Sequence, residues 1–175
     1  MKSVNLIAFR QFTLEDIAPF LSWLNLAPAL QRTAVKMKLK PPVGSGKLTP
    51  MLKALNLLKF IQLKQECFTI TASGEAFLKA NPLERKIMIR GIFLAEDEVK
   101  KIMALLNASS TGRIAKYLVN ECFAASDQTS TLETEILALL DWTEQCGLFG
   151  YDSKKHEIFS LEHGTPKSIN PLIAA

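Results

Sequence analysis

The chain has 175 residues, 48% of them hydrophobic and 22% charged, and a net charge of +4. That is enough length and apolar content to bury a core, which excludes general disorder, and no apolar run approaches the ~20 residues of a membrane span. The cysteines, Cys67, Cys122 and Cys146, are odd in number and far apart, which fits reduced thiols in a cytoplasmic protein better than a disulfide framework.

Residues 1–11 carry Val4, Leu6, Ile7 and Phe9 and predict a short strand or packed arm. The opening Met1-Lys2-Ser3-Val4 lacks the long apolar stretch and small-residue cleavage site of a signal peptide, so none is expected. Thr13, with Asp16 three residues on, predicts a helix start, and Leu14, Ile17, Leu21 and Leu24 follow at helical spacing. Pro19 predicts a kink there, or a start nearer Pro19 itself. Ala27-Pro28 opens a second helix with Leu30, Ala34 and Met37 inward, and Lys36, Lys38 and Lys40 spread around its end. KPPVGSGK, residues 40–47, is a loop. It imitates a phosphate-binding loop, but Leu48 follows Gly46-Lys47 where Ser or Thr is needed, and Pro41 stands where the first glycine should be. Nucleotide hydrolysis at this loop is rejected.

The stretch LTPMLKALNLLKFIQLKQECFTITASGEAFL, residues 48–78, organises the rest. Thr49 reads as an N-cap and Pro50 as a first-turn proline, and Met51, Leu52, Leu55 and Leu58 form one stripe. The period then changes. Ile61 and Leu63 alternate with Gln62 and Lys64, Phe68 and Ile70 with Thr69 and Thr71, giving a hairpin turned at Gln65-Glu66. Ser73 is expected to cap the next helix. Asn81-Pro82-Leu83-Glu84 is a capping box, and that helix is expected to turn Leu83, Ile87, Arg90 and Leu94 to one side, with Ile89 and Phe93 broadening its apolar face.

The plan then repeats. Residues 96–106 form a helix with Val99, Ile102, Met103 and Leu106 inward, and Ser110 or Thr111 caps another carrying Ile114, Leu118 and Val119. Residues 126–128 turn. Ser130 with Glu133 caps a long helix with Leu132, Ile136, Leu139 and Leu140 inward, and Gly147 ends it. Leu148, Phe149 and Tyr151 pair across Asp152-Ser153-Lys154-Lys155 with Ile158, Phe159 and Leu161. The expected fold is mainly α with small β-hairpins, as tandem winged-helix-like lobes: an arm over 1–12, a lobe over 13–80, a connecting helix over 81–94, a lobe over 95–162 and a flexible tail over 163–175.

TPMLKALNLLKFIQLKQECFTITASGEAFLKANPLERK resembles the first half of the C-terminal AAA-associated domain, and LETEILALLDWTEQCGLFGYDSKKHEIFSL its second half. The matching features are Leu57-Leu58-Lys59-Phe60, Thr71-Ala72-Ser73-Gly74, Glu84-Arg85-Lys86, Asp141-Trp142 and Leu148-Phe149-Gly150-Tyr151-Asp152. The resemblance runs from about residue 14 to residue 161. That family is attached to the ATP-binding subunits of nitrate-, sulfonate- and taurine-type ABC transporters. It implies no catalytic residues here, and it implies a regulatory or protein-docking role with an ABC-type ATPase subunit as partner.

The residues themselves offer little chemistry. His156 and His163 stand apart from any cysteine or carboxylate pattern with metal spacing and read as surface residues. Cys146, beside a helix-ending glycine, sits where the dipole disfavours a thiolate, and Cys67 and Cys122 fall on inner faces. Glu133, Glu135, Asp141 and Glu144 form either an acidic docking strip or a solvated face. No catalysis, cofactor or metal is expected. Charge is uneven: residues 1–66 carry ten basic and three acidic side chains, and residues 128–175 three basic and seven acidic. The basic front supports an alternative, a winged-helix transcriptional regulator that binds duplex DNA. There the helix over 50–59 enters the groove, with Lys53, Asn56 and Lys59 facing out, Lys47 nearby and Gln62 and Lys64 on the wing. Opposite end charges also permit a homodimer.

Overall fold

A computed structural model describes residues 6–25, 45–64, 67–123 and 129–161. Among these it holds seven α-helices and two small antiparallel sheets. The helix expected from Ala27, the loop over 40–44, the Gln65-Glu66 turn, the turn over 126–128, His163 and the tail lie outside the described residues.

Residues 6–11 form no strand. Leu6–Gln11 is a 3-10 helix, and it packs between two long helices rather than lying on the surface. Helix α1, Leu14–Asn25, begins at Leu14, where Asp16 accepts hydrogen bonds from the Thr13 backbone N–H at 2.8 Å and hydroxyl at 3.2 Å. Pro19 is inside this helix and starts nothing. It faces solvent, while Ile17, Phe20, Leu21 and Leu24 are buried.

A short 3-10 turn, Ser45–Lys47, runs into α2, Leu48–Leu57. The helix therefore starts earlier than Thr49. Lys47 holds the N-cap position without a side-chain cap, because the preceding 3-10 turn already leads the chain into helix. Strands β1, Ile61–Lys64, and β2, Cys67–Ile70, pair with Ile61 opposite Ile70, as the alternation predicts. Helix α3, Ala72–Lys79, is capped by Thr71 and not by Ser73. The Thr71 hydroxyl accepts from the Gly74 N–H at 3.1 Å and donates to the Lys59 carbonyl at 2.5 Å, so one side chain ties α3 to the end of α2.

Helix α4, Pro82–Leu94, carries the full Asn81–Glu84 capping box. Its buried side is Ile89 and Phe93. Leu83 and Ile87, on the other side, are 67% and 58% exposed, and Leu94 is also exposed. Arg85 sets this rotation. Its guanidinium donates to the Phe77 and Leu78 carbonyls, both at 3.0 Å, and lies over the Phe77 ring, which turns the Leu83–Ile87 side outward.

Helix α5, Asp97–Ala108, buries Val99, Ile102 and Leu106. Neither Ser110 nor Thr111 caps the next helix. A strand comes first, β3, Arg113–Ala115, so Ile114 lies in a sheet and not in a helix. Helix α6, Lys116–Phe123, follows, then α7, Thr129–Gln145, which begins ahead of Ser130. Strands β4, Phe149–Asp152, and β5, Glu157–Ser160, complete a three-stranded sheet in the order β3-β5-β4. Asp152 holds the turn between β4 and β5 by accepting from the Lys154 and Lys155 N–H groups.

The ends of α2 and α7 are the same structure. Phe60 N–H reaches the Leu55 carbonyl and Lys59 N–H the Asn56 carbonyl; Leu148 N–H reaches Thr143 and Gly147 N–H reaches Glu144. Each is a Schellman motif with a left-handed residue, Lys59 at φ 60° and Gly147 at φ 72°. Each leads directly into a hairpin. After the hairpin the chain returns to the same carbonyl, with Thr71 N–H on Phe60 and Leu161 N–H on Leu148. One contiguous hydrophobic core joins both halves. At its centre Trp142, 1% exposed, packs edge-on against Phe9 and Phe12 and donates its indole N–H to the Phe9 carbonyl at 2.9 Å.

Candidate functional site

Helix α2 is buried over most of its circumference: Leu48, Met51, Leu52, Ala54 and Leu55 all pack inward. What remains exposed is a stripe one residue wide, Thr49, Lys53 and Asn56. Asn56 is already engaged, its side-chain oxygen accepting from the Leu63 N–H at 3.2 Å. Lys47, Lys59 and Gln62 are exposed, Lys59 at the turn beyond the helix, and the Lys64 side chain lies outside the described part. The six residues of the DNA alternative are thus near one another in the chain, but the face they share is narrow, and nothing in it favours DNA.

The acidic residues of α7 divide. Glu133 pairs with Lys116 at 2.8 Å, and that hydrogen bond holds its carboxyl below the usual range. Asp141 and Glu144 are exposed. Glu135 is half-buried, on the same stripe as Leu139 and Trp142, and desolvation raises its pKa.

Glu135 faces the best-formed concavity described, a cavity of about 460 Å³ between the 3-10 helix, the end of α2, the α4–α5 junction, α6 and α7. Its floor is apolar: Phe9, Leu58, Phe93, Val99 and Leu139, all buried. Ile92 and Phe123 form part of the wall. The rim is charged, with Lys59 on one side and Glu96, Asp97, Glu98 and Glu135 around the rest. Asp97 is bound to Lys100 at 3.0 Å. Glu96 occupies the N-cap position of α5 yet makes no side-chain cap bond, and burial, with Glu98 beside it, raises its pKa while Lys59 opposes the rise. Sequence reasoning missed this site because its walls come from distant segments. One local signal was available, a glutamate at 135 standing i, i+4 and i+7 with Leu139 and Trp142.

Of the described thiols, neither is activated. Cys146 is buried, which pushes its pKa up to about 12, and burial also raises Cys122, whose Sγ lies 3.4 Å from the Leu118 carbonyl. The exposed His156 sits 3.1 Å from the Tyr151 hydroxyl. Among the described residues no three of His, Cys, Asp or Glu converge as metal ligands, and no helix is long and apolar enough to cross a membrane.

Several of the residues that carry the sequence resemblance hold the fold. Thr71 caps α3 and Gly74 lets it approach Phe60; Glu84 and Arg85 fix both ends of the α3–α4 corner; Trp142 centres the core; Asp152 shapes the second hairpin. The family model of the C-terminal AAA-associated domain matches residues 40–152. The chain belongs to that family. The match takes in α2 through β4, so both Schellman junctions of this AAA-associated domain lie within it, whereas the 3-10 helix and α1 precede it and β5 follows it. No curated protein and no solved structure matches the chain.

Proposed function

We propose that this AAA-associated domain is a non-catalytic regulatory or docking module that acts on an ATPase, with the ATP-binding subunit of a nitrate-, sulfonate- or taurine-type ABC transporter as its partner. The observation that carries this is the outer face of α4. Leu83, Ile87 and Leu94 form an apolar ridge in line, with exposed Gly91 beside it and open space around that glycine. A glycine within a helix costs about 0.5–1 kcal/mol relative to alanine, and nothing among the described residues packs closely enough to require one here. A second surface laid along the ridge accounts for both features. The family supplies the class of that surface. The ATP-hydrolysing side of such transporters is cytoplasmic, and this is where the module would work.

The order helix–strand–helix–helix–strand–turn–strand from α5 to β5, with the last strand central, supports a winged helix for the second half. The duplicated Schellman junction supports a related plan for the first. Winged helices serve as docking modules as well as DNA readers, so fold alone does not choose.

The test is co-purification with the transporter's ATP-binding subunit, for the wild type and for Leu83→Glu with Ile87→Glu. Both positions are exposed, so the fold should survive, as circular dichroism would verify. Retention by wild type and loss in the double variant is expected. No retention, together with tight duplex binding that falls steeply with salt and disappears in Lys53→Glu with Lys59→Glu, would overturn the docking role in favour of DNA recognition.

A further inference from the structure

We propose that the cavity at the α4–α5 junction binds a small organic cation, a protonated amine on an apolar body. This goes beyond the docking role and stands without it. At about 460 Å³ the cavity falls within the ~300–1,000 Å³ of small-molecule sites. Its floor is built for an apolar group. Phe9 and Phe93, with ring centroids 6.1 Å apart and tilted by 60°, present aromatic surface beside Val99 and Leu139.

The rim selects the charge. Glu96 and Glu135 reach the mouth from separate elements, and the Glu96 carboxylate makes no cap bond to the helix it opens. Partly desolvated carboxylates are unfavourable, and a cation seated between them would offset that cost. With Glu98 and Asp97 they make four negative groups against two positive, Lys59 on the rim and Lys100 bound to Asp97. An anion of the same size would face that excess. A bare inorganic cation would leave the aromatic floor unused, whereas an ammonium on an apolar stem uses both, with a cation–π contribution where it passes the rings.

Lys59 is held at the mouth in a conformation that lysine seldom adopts, φ 60°, and its carbonyl is fixed by the Thr71 hydroxyl. It is therefore a positioned competitor for Glu96, opposing the rise in that residue's pKa.

The experiment is a titration of the whole protein with 2-phenylethylammonium, followed by NMR and calorimetry, beside phenylacetate and ammonium chloride. Saturable binding of 2-phenylethylammonium with shifts confined to the cavity walls is expected, and about tenfold weaker or no binding of the other two. Glu96→Gln with Glu135→Gln should weaken amine binding about tenfold or more, while Lys59→Gln should strengthen it. Ala95→Trp, an exposed rim position, should block entry without touching the core. Phenylacetate binding as well as the amine, no saturable amine binding, or unchanged affinity in the double glutamine variant would each overturn the proposal.

Discussion

Gly74 lies where the first turn of α3 crosses the carbonyl of Phe60. A methyl group there would sit 2.2 Å from that oxygen and 2.8 Å from the Ile70 side chain. The oxygen belongs to backbone already fixed by Thr71 N–H and by the Schellman bonds of α2, so it cannot yield. Gly74→Ala should destabilise the protein by about 1–3 kcal/mol, read as a lower urea midpoint at unchanged slope, although alanine is the better helix former. Glu135 is a different case, a half-buried carboxyl whose ionisation is disfavoured by burial. Burial raises its folded pKa above the ordinary 4.5, so the folded state holds the proton more tightly than the unfolded state. Its contribution is most favourable below pH 4.5 and is lost as pH rises through the folded value. Glu135→Gln should therefore melt higher than wild type at pH 7, and the gap should close as pH falls towards 4. A gap that persists at pH 4 would mean the glutamine is gaining something other than relief from ionisation. A carboxylate kept at such a place is consistent with use by a ligand.

At the scale of elements, what was legible in the sequence was what is local. The Asn81–Glu84 box, the alternation in 61–70 and Gly147 each specify geometry within a few residues. The errors share a different cause. Thr49 and Ser73 are good capping residues, but the 3-10 turn before α2 and the Lys59 carbonyl offered to Thr71 moved both helix starts. Strand β3 pairs Arg113 with Phe159, forty-six positions later, and three residues carry no periodicity of their own. Helix α4 has apolar residues on two sides, and its rotation is decided by Arg85 reaching back to α3. The repeated junction gives the sharpest prediction at this scale. The two Schellman motifs differ in their left-handed residue, and a side chain there costs roughly 1–2 kcal/mol that glycine avoids, less the entropy glycine adds to the unfolded chain. Lys59→Gly should thus stabilise by up to about 1 kcal/mol, and Gly147→Ala should destabilise by a similar amount. Chemical denaturation of both variants checks this. Equal signs would mean that the two helix ends are not equivalent.

Across the whole molecule, the question is whether the two halves unfold apart. The 3-10 helix Leu6–Gln11 packs on α2 in the first half and on α7 in the second. Its Phe9 touches the Trp142 ring at a centroid distance of 4.9 Å and the Phe93 ring at 6.1 Å, and its carbonyl holds the Trp142 indole. This short element therefore couples the two halves, and its helical turn was not legible in the sequence, which suggested a short strand or a packed arm: its apolar residues are too few to reveal a period. Removing the Phe9 ring would leave a cavity bordered by both halves and should cost about 3–5 kcal/mol. The chain has two tryptophans, Trp23 in α1 and Trp142 in α7. In Trp23→Phe, fluorescence reports the second half alone, while far-UV circular dichroism reports all helices. The two signals should share one denaturation midpoint, as expected of a single cooperative unit. Phe9→Ala in that background should lower both midpoints together. If the fluorescence transition moved to lower denaturant while a helical signal persisted, the shared core would be too weak to couple the halves, and each would behave as a domain of its own.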